Sequence, residues 1–215
     1  MFGKNPIRPA VNDDGSVLQV VEIFPTIQGE GHRAGQPAIF VRLGGCNLAC
    51  NFCDTEFETF SPMRVDEVVE KVGNSEGIKL AVITGGEPLR QNIVPLCNAL
   101  IAESFTVQIE TNGTLWRPLP DAVEIVCSPK NTGQGYMPIR PDVLARVTSL
   151  KYIVSATHPH YRDVPENPAS KQVFVQPMDE YDAEKNAANQ KHAAALAMQH
   201  GYRLSLQLHK ILNIP

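Results

Sequence analysis

The sequence predicts an α/β fold in which mostly parallel strands form an incomplete barrel with fewer helices than strands. Three observations carry that expectation. Short, β-rich apolar runs alternate with stretches of helical periodicity, the pattern of chained βα units. Eight candidate strands stand against only four candidate helices. The 215 residues also fall short of the ~250 typical of a closed eightfold barrel.

Residues 1–15 are polar, are broken by Pro6, Pro9 and Gly15, and read as an amino-terminal tail. Strands are expected at Leu18–Phe24 and Ala38–Leu43. Val65, Val68, Val69 and Val72 follow the i, i+3, i+4, i+7 rule, which places a helix over Val65–Val72. Next come a strand at Leu80–Thr84, a helix at Asn92–Glu103, strands at Thr106–Glu110 and Val123–Cys127, and a helix at Pro141–Val147. Strands at Leu150–Val154 and Gln172–Val175 precede the Ala-rich helix Ala183–His200, which Gly201 stops. Arg203–Leu208 reads as the last strand. No repeat, charge block or linker divides residues 1–215, so one domain is expected.

Composition removes several classes of function. Nineteen Lys plus Arg against 23 Asp plus Glu give a net charge of −4, without the basic excess that nucleic acid or an anionic membrane surface demands. No apolar run reaches the ~20 residues of a membrane span. The start, Met1-Phe2-Gly3-Lys4-Asn5-Pro6, lacks the apolar region of a signal peptide, so a cytoplasmic protein is expected.

Five cysteines without a secretion signal do not make a disulfide framework. Cys97 and Cys127 lie in apolar surroundings and read as small buried hydrophobes. Cys46, Cys50 and Cys53 are spaced C-x3-C-x2-C directly after the strand Ala38–Leu43. Structural zinc requires four protein ligands, and no second Cys pair supplies half a site. An iron–sulfur cubane held by three thiolates leaves one iron open to a small molecule, which suits an odd, compact set of three. In parallel α/β sheets, chemistry gathers at the carboxyl ends of strands, where this loop and Thr84-Gly85-Gly86-Glu87-Pro88 both fall.

That Cys spacing, with Phe52 before the last Cys, together with the Gly-Gly-Glu-Pro turn, resembles the radical S-adenosylmethionine (SAM) superfamily. The resemblance implies a partial TIM-type barrel, a [4Fe–4S] cluster on Cys46, Cys50 and Cys53, and SAM on the open iron, cleaved to a 5′-deoxyadenosyl radical. Further segments resemble the 7-carboxy-7-deazaguanine synthase family from about Val21 onward: Phe24-Pro25-Thr26-Ile27-Gln28-Gly29-Glu30-Gly31, Val107-Gln108-Ile109-Glu110-Thr111-Asn112-Gly113, Ser128-Pro129-Lys130, and Leu206 to Pro215. The departures lie in Tyr136–Arg146 and His158–Ser170. The family implies a carbon–nitrogen lyase of queuosine biosynthesis. It converts 6-carboxy-5,6,7,8-tetrahydropterin to 7-carboxy-7-deazaguanine with loss of ammonia, uses SAM as a regenerated cofactor, and uses Mg²⁺.

Carried over residue by residue, the resemblance implies that Thr55 holds Mg²⁺, to which its hydroxyl offers a hard oxygen. Arg42 would clamp the substrate carboxylate, a surface ion pair being the bland alternative. Ile27, Gln28, Gly29 and Thr84 would contact the pterin, Gln28 through both ends of its amide. SAM would meet Phe52, Cys53, Asp54, Gly86, Ser128-Pro129-Lys130 and Gln176-Pro177-Met178-Asp179. At the carboxyl terminus, Ile211, Leu212 and Ile214 are apolar and expected to be buried, while Pro215 and His209 would face the pterin's amino edge. The resemblance further implies a flavodoxin-type electron donor and a homodimer. Glycyl-radical activation of a protein partner shares the cluster loop but gives Arg42, Thr55 and the ordered terminus no work. A zinc-binding interaction module would be colourless and free of sulfide.

Overall fold

The computed structural model describes residues 5–50, 53, 55–131, 135–166 and 171–215. Its strands are β1 (Val17–Ile27), β2 (Pro37–Leu43), β3 (Ser61–Arg64), β4 (Leu80–Gly85), β5 (Thr106–Thr111), β6 (Glu124–Cys127), β7 (Ser149–Val154), β8 (Gln172–Pro177) and β9 (Arg203–Leu204). They form one sheet in the order β3-β1-β2-β4-β5-β6-β7-β8-β9. From β2 to β9 every neighbouring pair is parallel, while β1 runs antiparallel to both β2 and β3. Among the described residues nothing pairs β3 with β9, so the barrel stays open.

Parallel neighbours need crossovers. Helices α1 (Val65–Gly73), α2 (Val94–Ala102), α3 (Pro141–Arg146) and α4 (Ala183–His200) supply four of them. The β5–β6 connection has no helix, and among its described residues the β7–β8 connection carries a short 3-10 turn, Pro159–Tyr161. That is why helices are fewer than strands. Helix α4 has the bounds expected from its alanines: Asp182 caps it by accepting from the Glu184 and Lys185 N–H groups, both at 3.0 Å, and Gly201 ends it at φ +69°.

Side-chain alternation divides each strand between two faces. The outward set, including Val41, Ile83, Ile109, Ile125 and Leu150, joins Val68, Leu96, Val143 and Leu196 of the four helices in the main core. Cys97 and Cys127 belong to that core, both fully buried, and burial pushes both thiols up to about 12. The inward set begins apolar, with Ala38, Leu80 and Val82 packed beside Phe40, and turns polar toward the strand ends.

Three features differ from expectation. The amino-terminal stretch is strapped down rather than loose. The Arg8 N–H donates to the Cys46 carbonyl at 2.7 Å, Asn5 Nδ2 to the Thr55 carbonyl at 3.1 Å, and the Val11 N–H to the Arg90 carbonyl at 2.7 Å. Its polar sequence reflects hydrogen bonding to loop backbone rather than solvation. The edge strand β3 escaped prediction because Ser-Pro-Met-Arg is polar and holds a proline, which an edge strand tolerates. The expected strand Arg203–Leu208 stops at Leu204, and Leu208–Leu212 form a fifth helix, α5. Leu204, Leu206 and Leu208 alternate like a strand, yet Leu208, Ile211 and Leu212 also fall at helical spacing, and the helical spacing wins. Ile211 and Leu212 are exposed, at 63% and 57%, contrary to the burial expected of them.

Candidate active site

A cavity of about 430 Å³ opens at the carboxyl ends of the strands. Cys46, Cys50 and Cys53 line it together with Glu30, Glu110 and Lys151. Backbone contacts fix the cysteine loop. Gly85 ends β4, and Gly86 follows it so close to the cysteine loop that a Cβ on Gly86 would sit 2.3 Å from the Gly45 carbonyl oxygen and 2.9 Å from Cys46 Cβ. Only glycine permits that approach. The Glu87 N–H donates to the same Gly45 carbonyl at 3.0 Å. The buried Glu87 carboxylate in turn accepts from the Leu89 and Asn112 N–H groups and from Thr111 Oγ1, at 3.0, 2.7 and 2.8 Å. Asn112 Nδ2 then donates to Asn47 Oδ1 at 2.9 Å, tying the β5 exit to the cysteine loop itself.

Burial pushes the Cys46 thiol up to about 12, and it raises Cys50 against the opposing charge of Lys130. Thiols so placed stay protonated at neutral pH in the absence of metal. Ligation displaces the proton, and soft thiolates suit iron–sulfur chemistry.

Part of the lining is built by the loop between β1 and β2, which is anchored against the sheet. Its Gln28 and Gln36 backbones pair at 2.8 Å, and Arg33 and His32 reach Glu124 at the start of β6 at 2.5 and 2.7 Å. That anchoring carries Glu30 to Lys151, with which it forms an ion pair, while Glu110 Oε2 lies 3.3 Å from the same ammonium. Gln176 Nε2 and Gln207 Nε2 both donate to Glu30 Oε1, at 3.1 and 3.0 Å, and Gln28 Nε2 donates to Glu110 Oε1 at 2.9 Å. Burial works against ionising Glu30, but Lys151, with help from His209 and Gln207, outweighs it and holds the carboxyl below its usual range. For Lys151 burial is likewise outweighed, by Glu110 and Glu30, and its ammonium is held above its ordinary value.

Of the residues singled out in the sequence, Ile27, Gln28, Arg42, Thr55, Thr84, Gly86, Ser128, Lys130, Gln176, Pro177, Met178, Asp179, His209 and Pro215 all line this cavity with the three cysteines. Gly29 and Pro129 do not. Gly29 instead lets α5 settle onto the loop, since a Cβ there would lie 2.5 Å from His209 Nδ1. Phe52 and Asp54 lie outside the described residues. Gln28 is already engaged at both ends, because its Oε1 accepts from the Glu30 N–H at 3.1 Å. Arg42 Nε pairs with Glu22 at 2.6 Å, the surface ion pair named as its alternative, although the residue still borders the cavity. Thr26 Oγ1 donates to the Pro215 oxygen. Sequence reasoning missed Glu30, Glu110, Lys151 and Gln207. The alternation Gln108–Glu110 and Ser149–Lys151 within otherwise apolar strands was the available signal for two of them.

Comparison with known proteins agrees with this geometry. Residues 40–133 match the radical SAM superfamily. A relative from Rickettsia prowazekii, named 7-carboxy-7-deazaguanine synthase, is 51% identical over 100% of this chain and 96% of its own. One of the same name from Rhodospirillum rubrum is 40% identical over 100% of both chains. The crystal structure of QueE from Escherichia coli shares the fold, with a TM-score of 0.73 at 24% identity over 89% of this chain and 94% of that one. Half-identity over the full length of a relative, together with the three-cysteine cavity, places the chain in the 7-carboxy-7-deazaguanine synthase family of the radical SAM superfamily.

Proposed function

We propose that the chain converts 6-carboxy-5,6,7,8-tetrahydropterin to 7-carboxy-7-deazaguanine with loss of ammonia, as a radical SAM lyase of queuosine and 7-deazapurine biosynthesis. The observation that carries this reading is one cavity lined both by three cysteines and by the Glu30–Lys151–Glu110 group. The donor set fits a [4Fe–4S] cluster with one open iron, because the remaining cysteines, Cys97 and Cys127, are sealed in the apolar core. When bound, the cluster and SAM supply the one-electron chemistry that begins hydrogen abstraction at C6.

The chain's own residues bind and orient. Gly86, Ser128, Lys130 and the segment Gln176 to Asp179 form the SAM side, with Phe52, Asp54 and Pro129 carried from the family pattern. Arg42 takes the pterin's carboxylate, Thr84 is a further pterin contact, and Ile27 and Gln28 shape its edge, with Gly29 carried from the family pattern. Glu30, kept anionic by Lys151, and the neighbouring Glu110 accept from ring N–H groups, and His209 and the Pro215 carboxylate complete that edge. A flavodoxin-type carrier as electron donor, a homodimer and a cytoplasmic setting complete the proposal.

An anaerobic assay with reductant, SAM, Mg²⁺ and the carboxypterin tests the reaction. Deazapurine should form without matching release of 5′-deoxyadenosine, and absence of the deazapurine from fully loaded enzyme would reject the reading.

Thr55 is proposed as the Mg²⁺ ligand. Thr55→Ala should raise the Mg²⁺ concentration for half-maximal rate about tenfold, equivalent to about 1.4 kcal/mol, while SAM affinity holds. An unchanged Mg²⁺ titration would remove Thr55 from the site.

Residues appended after Pro215 should block its carboxylate. A charge-assisted contact of about 1.5–3 kcal/mol is at stake, so KM should rise roughly ten- to a hundredfold. Normal KM in an extended, cluster-loaded protein would dismiss this role.

A further inference from the structure

Arg90 is a buried cation with no carboxylate paired to it among the described residues. Its side chain belongs to a residue only 3% exposed, and among the described residues no acid lies within ion-pair distance of it. Its acceptors are neutral. Nε and one Nη donate to the Gly44 carbonyl at 3.3 and 3.0 Å, the other Nη donates to the Pro9 carbonyl at 3.2 Å, and Gln19 Oε1 takes a further bond. Of the acids whose charge reaches it, Glu58 and Asp13, neither lies within ion-pair distance, and Glu58 is engaged by Arg8 at 2.5 Å. Burial and the like charge of Arg8 both push the guanidinium below its ordinary value, although an arginine does not lose its proton in a protein. Buried charges are normally paired, so this one calls for an anion.

The place of the guanidinium indicates which anion. It lies beneath the backbone that leads into Cys46, and a Cβ on Gly45 would come within 2.7 Å of Arg90 Nε. Three thiolates leave a [4Fe–4S] cluster anionic, and one-electron reduction adds a further negative charge. We propose that Arg90 is the fixed counter-charge of the cluster, stabilising its reduced state and so raising its reduction potential. This rests on the cluster reading given above. Arg90 acts through the cluster and touches neither SAM nor pterin. The hydrogen bonds to Gly44 hold the charge in place, and the strap at Pro9 covers it from solvent.

The test is a dithionite titration without SAM, followed by the electron paramagnetic resonance of the reduced cluster, on protein assayed for iron and sulfide. Arg90→Gln keeps a donor for Gly44 and removes the charge, whereas Arg90→Lys keeps the charge and loses the fork. Arg90→Gln should show about a tenfold lower reduced-to-oxidised ratio at a fixed potential, about 59 mV for a one-electron couple, and Arg90→Lys should stay near the parent. Loss of cluster from Arg90→Gln with normal loading and potential in Arg90→Lys also supports the charge, since glutamine can still make the hydrogen bond. An unshifted Arg90→Gln, or equal loss of cluster from both variants, would overturn the proposal. A parent protein that takes up no iron and sulfide would overturn the cluster reading and this proposal with it.

Discussion

Cys50→Ala should yield a folded protein without stable iron and sulfide and without detectable turnover, and Cys46→Ala and Cys53→Ala should do the same. The three thiols line one cavity, and no other cysteine can replace them, because Cys97 and Cys127 face the main core. Two ligands do not hold a cubane whose fourth iron is reserved for a small molecule. Cys97→Ala and Cys127→Ala should keep full cluster and activity, and should lose only the modest stability that a small core void costs. Iron and sulfide analysis beside the anaerobic assay decides. A Cys50→Ala protein with full cluster would refute the ligand assignment.

Lys151→Met should destabilise the protein by about 3–5 kcal/mol at neutral pH, the usual consequence of removing one partner of a buried ion pair. The charge is lost while the chain volume is nearly kept, so Glu30 and Glu110 are left without their counter-ion. The effect has a pH signature. In the parent, the Glu30 carboxyl is depressed, so its contribution is present above the ordinary carboxylate value of about 4.3 and is lost as pH falls through the lower folded value. The Lys151 ammonium is raised, so its contribution is present below about 10.4 and is lost only in more alkaline solution. Without the lysine, burial dominates at Glu30 over the remaining help from Gln176, Gln207 and His209, and its folded value rises. The variant should therefore be most stable in acid and weaken as pH climbs through the carboxylate range. Denaturant unfolding at pH 4 and pH 7 measures this. A deficit of the same size at both pH values would contradict the assigned role.

The legible parts of the molecule were those with local signals. The cysteine loop and the Gly-Gly-Glu-Pro turn each lie within a few consecutive residues, and strand ends such as Thr84 and Ser128 follow from apolar runs. The Glu30–Lys151–Glu110 group could not be read in the same way. Its members are brought together by sheet register and by a loop whose anchor, Glu124, lies at the foot of another strand. The end of the chain misled for a related reason: period-two and helical spacings coincide at Leu208, and contact with Gly29 selects the helix. Gln28 lines the cavity, yet its sequence position could not show that its amide is spent on Glu110 and the Glu30 backbone.

The cavity is enclosed by segments far apart in the sequence, with Asn5 holding the Thr55 carbonyl on one side and Pro215 held by Thr26 on the other. This has a consequence during synthesis on the ribosome. The cysteine loop emerges long before residues 208–215, and until those arrive its thiols have an open pocket beside them. Contacts of such sequence separation form late. The pocket would thus be complete only after most of translation, and a truncated chain would lack the part of its lining that His209 and Pro215 supply.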